Sequence, residues 1–327
     1  MPLFLEMVRQ VSRRAPALAR QALAGLDAYE RAPRPPVRPK RPAVARVGGA
    51  ALRDHGGDGA PVVLIPSLIN PPHVLDLDEQ VSLAGALAGG GRQVLLVDWG
   101  AASERAGLDV SGHIEALLPL LDAVGEPATL VGYCLGGTMA IGAAAIAPVR
   151  RVATLAAPWH FARYPDGSRA ALGQLWDQSK AAAASLGALP MEVLQAGFWS
   201  LDPERTVRKF AEFAELDPEG GQARRFVTLE DWANEGEPLP LPAATELFES
   251  FYRDDAPGAG RWMLGGAVVS QRPPVPTLHL VAGEDRIVPP ESAPEGEQIP
   301  LASGHVGMIV GRARAQLHQA LLRFLAS

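Results

Sequence analysis

From residue 61 onward the chain alternates short, unbroken apolar runs with longer stretches of helical periodicity. The runs cover 62–65, 93–97, 128–131, 151–156 and 277–282, each bounded by Gly, Pro or charged residues. Runs that are apolar throughout, rather than at every second position, predict strands buried on both faces, which is the environment of a parallel sheet. Apolar residues at helical spacing over 81–87, 114–124 and 138–146 predict the helices that connect them. Strands alternating with helices predict an α/β fold with a mostly parallel sheet. Between Pro158 and Pro274 the alternation stops, and Trp- and Phe-bearing helical pieces at 170–180, 207–216 and 243–252 take its place. An insertion of that size predicts a helical cap over the carboxyl edge of the sheet, where open α/β sheets place their ligands.

Ahead of the sheet pattern, Leu5, Val8, Val11, Leu18, Leu23 and Leu26 fall at helical spacing on either side of Pro16. They predict one or two amphipathic helices packed on the body. Residues 31–47 set Pro33, Pro35, Pro36, Pro39 and Pro42 among Arg34, Arg38, Lys40, Arg41 and Arg46, which predicts an extended basic linker. The expected division is therefore 1–58 for N-terminal helices and linker, 59–157 with 275–327 for the α/β core, and 158–274 for the cap.

Composition narrows the function classes. With 327 residues, 47% of them apolar, the chain can bury a full core without metals or disulfides. A net charge of −6 gives the chain as a whole no attraction to a phosphate backbone or an anionic bilayer, so no nucleic-acid partner is expected. No apolar stretch reaches the length of a membrane span, since 140–149 ends at Arg150 and Arg151. Glu6 and Arg9 break the apolar opening that a secretory signal needs, so a cytoplasmic, reducing compartment is expected.

The single cysteine, Cys134, allows no intramolecular disulfide and no Cys-rich zinc site, and no His-Glu-x-x-His pair is present, so no metal is expected. Cys134 lies in Thr129-Leu-Val-Gly-Tyr-Cys-Leu-Gly-Gly-Thr138, an apolar strand that runs into a glycine-rich turn and a small-residue helix. This is the layout of a nucleophile elbow with Cys in the place of Ser. The following helix aims its N-terminus at the thiol, favouring thiolate and leaving the Leu135 N–H as an oxyanion donor. A second donor is expected from the loop after the first buried run, at Ser67 or Leu68. In this architecture acid and base follow the nucleophile in chain order. Asp285 ends an apolar strand in a Gly-turn, with Glu284 and Asp98 as competitors, and His305 lies 20 positions later in Ser303-Gly-His-Val-Gly307. Of the other histidines, His55 and His73 lie in loops, His279 in a strand, and His113 and His318 on expected surface helices. His160, Trp159 and Trp232 are candidates for substrate contact, and Trp159, Trp176, Trp199 and Trp232 are expected to line part of the substrate path beneath the cap.

Several of these segments together resemble the polyhydroxyalkanoate synthases, most of all the short type that works with a separate partner subunit. The resemblance runs from Pro61 to the C-terminus through Leu64-Ile-Pro-Ser-Leu-Ile-Asn70, Leu75-Asp76-Leu77, Val94-Leu-Leu-Val-Asp-Trp-Gly100, Gly132-Tyr-Cys-Leu-Gly-Gly137, Leu229-Glu-Asp-Trp232, Phe251-Tyr252, Gly283-Glu-Asp-Arg-Ile-Val-Pro289 and Gly304-His-Val-Gly307. It implies a capped α/β-hydrolase fold and a Cys-His-Asp triad. It further implies that Cys134 is acylated by a 3-hydroxyacyl coenzyme A thioester, that His305 deprotonates it, and that Asp285 assists His305 or the incoming hydroxyl. The coenzyme A thioester is then a substrate and no further cofactor is implied; a growing polyester, a homodimer or partner subunit, and a granule surface are the implied partners. Arg286 departs from the family, which commonly has His after the catalytic Asp. A hydrolase of thioesters or polyester on the same scaffold, and a non-catalytic granule scaffold, remain as alternatives at this point.

Overall fold

The computed structural model describes residues 2–34, 38–200 and 203–326. Pro35 and Pro36 of the expected linker lie outside the described residues, as do 201 and 202 of the expected cap. The chain forms two compact units, one of residues 1–39 with 192–236 and the other of 40–191 with 237–327.

The larger unit is built on an eight-stranded sheet. Its strands are β1 (Ala43–Val47), β2 (Ala50–Asp54), β3 (Pro61–Ile65), β4 (Gln93–Asp98), β5 (Thr129–Tyr133), β6 (Arg151–Leu155), β7 (Thr277–Ala282) and β8 (Glu297–Leu301), in the spatial order β1-β2-β4-β3-β5-β6-β7-β8. The pairs β1·β2 and β2·β4 are antiparallel and the rest are parallel. All five expected apolar runs are strands, and β3 and β5 are buried along their whole length, as unbroken apolar sequences with helices on both faces require. Helix starts follow local chemistry. Ser82 Oγ accepts from Gly85 N at 2.7 Å to open the helix Leu83–Gly89, and Asp109 accepts from Gly112 N at 2.6 Å to open Val110–Asp122.

Three strands depart from the expectation. Residues 43–54, read as the end of a linker and its sequel, are the hairpin β1–β2 at one edge of the sheet. Alternating half-buried and exposed positions along β1 make an edge strand with one wet face, a pattern its Arg and Pro neighbours hide. Asp98, a competitor for the acid, is held here by Arg53 at 2.7 Å and Lys40 at 3.0 Å. At the other edge β8 carries Glu297, Gln298 and Pro300, composition fit only for an edge.

The expected single cap is also divided. Residues 192–236 leave the sheet unit and join the N-terminal helices Pro2–Ser12 and Pro16–Arg31. Phe4, Met7, Val8, Ala22, Leu26 and Tyr29 from the N-terminal pair meet Val207, Phe210, Phe213 and Val227 from Pro203–Phe213 and Gly221–Asn234 in one apolar core. Tyr29 donates to Asp231 across this core at 2.5 Å. Trp199 and Trp232 belong to this helical unit. The physical reason is pairing of amphipathic faces: periodicity shows that a helix has an apolar stripe but not which distant stripe covers it. The remaining insertion stays with the sheet unit as the helix Asp166–Leu186, the π-helix Glu246–Arg253 and short strand pairs. Its interior is aromatic, with Trp176 stacked on Phe248 at 5.3 Å and Trp159 edge-on to Trp262 at 5.9 Å.

Candidate active site

Strand β5 ends at Tyr133 and the helix Leu135–Ile146 begins two residues later, so the whole change of direction falls on Cys134. Its backbone sits at φ 57°, ψ −131°, a region that L-residues rarely occupy and that the surroundings must enforce. Two contacts enforce it. A Cβ on Gly132 would lie 2.2 Å from the Gly136 carbonyl oxygen, and a Cβ on Gly136 would lie 2.1 Å from the Ile65 carbonyl oxygen. The glycines therefore let strand, turn and the end of β3 approach backbone to backbone. Cys134 N donates to Leu155 O at 2.9 Å, which ties the turn to β6. The side chain is neither sealed in the core nor fully exposed.

The other two candidates come from the far side of the sheet. Asp285 follows β7 in a turn that its own carboxylate closes, Oδ1 accepting from Ile287 N at 2.8 Å and Val288 N at 2.9 Å. Oδ2 faces His305 Nδ1 at 2.6 Å. His305 follows β8, and Cys134 lies close enough for its charge to act on the ring. Tyr133 backs the imidazole with ring centroids 5.0 Å apart, and its hydroxyl donates to the His305 carbonyl at 3.2 Å. Burial alone would lower the basicity of His305. The charges of Asp285 and Cys134, with the hydrogen bond to Asp285, outweigh it and raise its pKa to about 10. The sequence competitors are elsewhere: Glu284 is exposed beside Asp285, and Asp98 is engaged with Arg53.

Leu135 opens the helix, so its N–H lies at the end that has no carbonyl one turn back to pair with. Ser67 and Leu68 follow β3, whose Ile65 is in register with Gly132 of β5, and both are buried beside the elbow. The carbonyls of Ile65 and Pro66 pack on Gly136, while Trp99 Nε1 donates to Pro66 O at 3.2 Å and Arg105 reaches Leu68 O at 3.3 Å. The loop is thus fixed from two sides.

Trp159 and His160 are buried, and both amides donate to Ser292 O, at 2.7 and 2.9 Å. The His160 ring meets Gln271 Oε1 at 3.0 Å, so the ring already has a protein partner. Trp232 lies in the helical unit, buried in Gly221–Asn234. His113, expected on a surface helix, is instead fully buried, its Nδ1 2.6 Å from Asp109 O and its Nε2 3.3 Å from Arg105. Burial pushes its pKa down to about 4. The reason is that Val110–Asp122 packs its histidine face on the sheet unit's core, where Trp99 stands edge-on to the ring at 5.5 Å. Sequence reasoning did not single out Tyr133 or Tyr164; for Tyr133 the signal was its place next to Cys134 inside the elbow, while Tyr164 had none.

No protein-family model matches the chain. Among curated proteins it is similar to the poly(3-hydroxyalkanoate) polymerase subunit PhaC of Haloferax mediterranei, with 30% identity over 291 residues, 81% of this chain and 58% of the relative. The PhaC subunit of Allochromatium vinosum is 27% identical over 286 residues, 81% of this chain and 80% of the relative. The chain thus spans little more than half the length of the Haloferax relative. Among solved structures it is similar to a bromoperoxidase from Bacillus anthracis, with a TM-score of 0.51 and 17% identity over 85% of this chain and 95% of that one. Epoxide hydrolase A from Mycobacterium thermoresistibile gives 0.50 and 19% over 89% and 99%. At those identities the likeness bears on the fold alone. The chain is similar in sequence to poly(3-hydroxyalkanoate) polymerase subunits over 81% of its length, and its fold is that of the α/β-hydrolases.

Proposed function

We propose that the protein is a cysteine-nucleophile acyltransferase of the polyhydroxyalkanoate synthase type, moving 3-hydroxyacyl groups from coenzyme A thioesters to a growing polyester through an acyl-Cys134 intermediate. The observation that carries this reading is the placement of one imidazole, His305, against both the Asp285 carboxylate and the Cys134 thiol at a strained strand-to-helix turn.

The reading assigns each step to a group. Cys134 sulfur attacks the thioester carbonyl carbon, and the oxyanion is held by the Leu135 N–H with Ser67 or Leu68 as second donor. Collapse breaks the bond to coenzyme A, whose sulfur takes the proton from His305 and leaves as a thiol. Acylation removes the interaction of the Cys134 sulfur with the ring, one of those that raise the His305 pKa. The imidazole therefore becomes the weaker acid's partner it needs to be next: neutral, held by Asp285, and able to accept the proton of an incoming 3-hydroxyl as its oxygen attacks the acyl-Cys carbonyl. The bond from the acyl carbon to Cys134 sulfur breaks, the sulfur takes back the proton held on His305, and the polyester is longer by one unit. Cysteine suits this exchange because thiol and thioester are close in energy. In this reading the enzyme works in the cytoplasm at a granule surface, with a second copy or a partner subunit.

The test is incubation of purified protein with 3-hydroxybutyryl coenzyme A, following thiol release and product together. Thiol release with insoluble polyester supports the acyltransferase. Release with free acid alone overturns it in favour of a hydrolase, and no release, with or without a partner subunit, overturns it in favour of a scaffold.

A further inference from the structure

Among the described residues, three hydroxyls are buried with no hydrogen-bond partner: those of Ser67, Tyr164 and Ser303. All three lie in segments that border Cys134, Asp285 and His305. Ser67 follows β3 beside the elbow, and Ser303 stands two positions before His305. Buried polar atoms are nearly always satisfied, so a group of orphans around one site points to a ligand that brings its own oxygens.

Tyr164 is the most informative of the three because it lies on the aromatic side of the site. It caps the short 3₁₀ helix Phe161–Arg163 just beyond β6, stacks on Phe161 at 5.9 Å and stands edge-on to Tyr252 at 5.3 Å. Tyr252 comes from the π-helix Glu246–Arg253, a wide helical turn of the kind often found at functional sites. The two hydroxyls lie close without a well-formed hydrogen bond between them. The segment is roped to the acid: Asp285 Oδ1 holds Val288 N at 2.9 Å, Ser292 N donates to Pro289 O at 2.9 Å, and Trp159 N donates to Ser292 O at 2.7 Å. Burial raises the pKa of both tyrosines, and the charges of Cys134 and Asp285 add to that rise, so both phenols lie within the field of the catalytic candidates.

We propose that the Tyr164 hydroxyl, with Tyr252 beside it, hydrogen-bonds the 3-hydroxyl of the acyl substrate and so selects 3-hydroxyacyl over unsubstituted acyl thioesters. The inference rests on the acyltransferase reading above. Aromatic rings around Tyr164 offer an apolar seat for the alkyl chain, and one phenol on that wall marks the position where the chain must carry oxygen. A site built to pair a substrate hydroxyl discriminates against the analogue that lacks it, because its own polar group is then left unpaired.

The experiment measures first-turnover release of coenzyme A from 3-hydroxybutyryl and from butyryl coenzyme A, with the wild type and Tyr164→Phe. The expected loss in Tyr164→Phe is about 5- to 10-fold with the hydroxylated thioester and under about twofold with the butyryl one. Its thermal midpoint is expected to be unchanged or higher, since no internal hydrogen bond is lost. Equal losses with both thioesters, no loss with either, or a lowered midpoint overturn the assignment of Tyr164 while leaving the acyltransferase in place. A wild type that releases coenzyme A from neither thioester overturns the acyltransferase reading, and this inference with it.

Discussion

At the residue scale the account turns on His305. Held at 2.6 Å by Asp285 and close to Cys134, it would serve, in the proposed function, as acid to one thiol and base to one hydroxyl in turn. Replacing it by Gln is expected to slow acylation by at least about 100-fold, the usual worth of a positioned proton-transfer group, as read by coenzyme A release in a single turnover. Asp285→Asn is expected to be milder in that first acylation than in elongation; equal defects in the two assays would leave Asp285 as an orienter of His305 only. The pair also marks the pH dependence of stability. The folded-state pKa of His305 lies at about 10, above its ordinary value near 6.5, so its contribution is fully present below pH 6.5 and is lost as pH rises toward 10. The thermal midpoint advantage of the wild type over Asp285→Asn should therefore shrink across that interval. An advantage that stays constant from pH 6.5 to 10 would contradict the origin of the shift.

At the element scale the elbow depends on absent side chains. A Cβ on Gly136 meets the Ile65 and Pro66 carbonyl oxygens at 2.1 and 2.7 Å, both backbone atoms that cannot turn aside. Gly136→Ala is expected to cost about 1–3 kcal/mol in denaturant unfolding and to abolish turnover, since β3 and the loop proposed to hold the oxyanion must move. Near-normal activity in a folded Gly136→Ala protein would show that the loop is not the second donor. The elbow was legible because its strand, glycines and nucleophile are contiguous, Asp285 because it ends an apolar strand in a glycine-bearing turn, and His305 because glycines flank it in a loop further along the chain. Residues brought in from unrelated segments were not. Tyr164 lies in a stretch, Phe161-Ala-Arg-Tyr164, with no periodicity and no motif, and His113 shows its burial only once Trp99 and Arg105 close over it. Edge strands β1 and β8 were illegible for a different reason: with one face or one side wet, their sequences carry too few apolar residues to signal a strand.

For the molecule as a whole, residues 192–236 of the expected cap pack with the N-terminal helices around an apolar core of their own. This core joins segments almost two hundred positions apart, and at Gly25 a Cβ would meet the Phe210 carbonyl oxygen at 1.8 Å. Gly25→Leu is expected to separate Pro16–Arg31 from Pro203–Phe213. In hydrogen exchange, amides of 2–34 and 203–234 should lose protection while β3 to β7 keep theirs. Uniform loss across the sheet would mean that the two cores are one cooperative unit. The central claim, an acyl-Cys134 intermediate, is tested most directly by acid quench of the protein shortly after mixing with 3-hydroxybutyryl coenzyme A, followed by peptide mass spectrometry. The account expects a 3-hydroxybutyryl thioester on the peptide bearing Cys134, formed with coenzyme A release and absent in Cys134→Ala. Release of coenzyme A from Cys134→Ala at the wild-type rate, or an adduct on another residue, would contradict it.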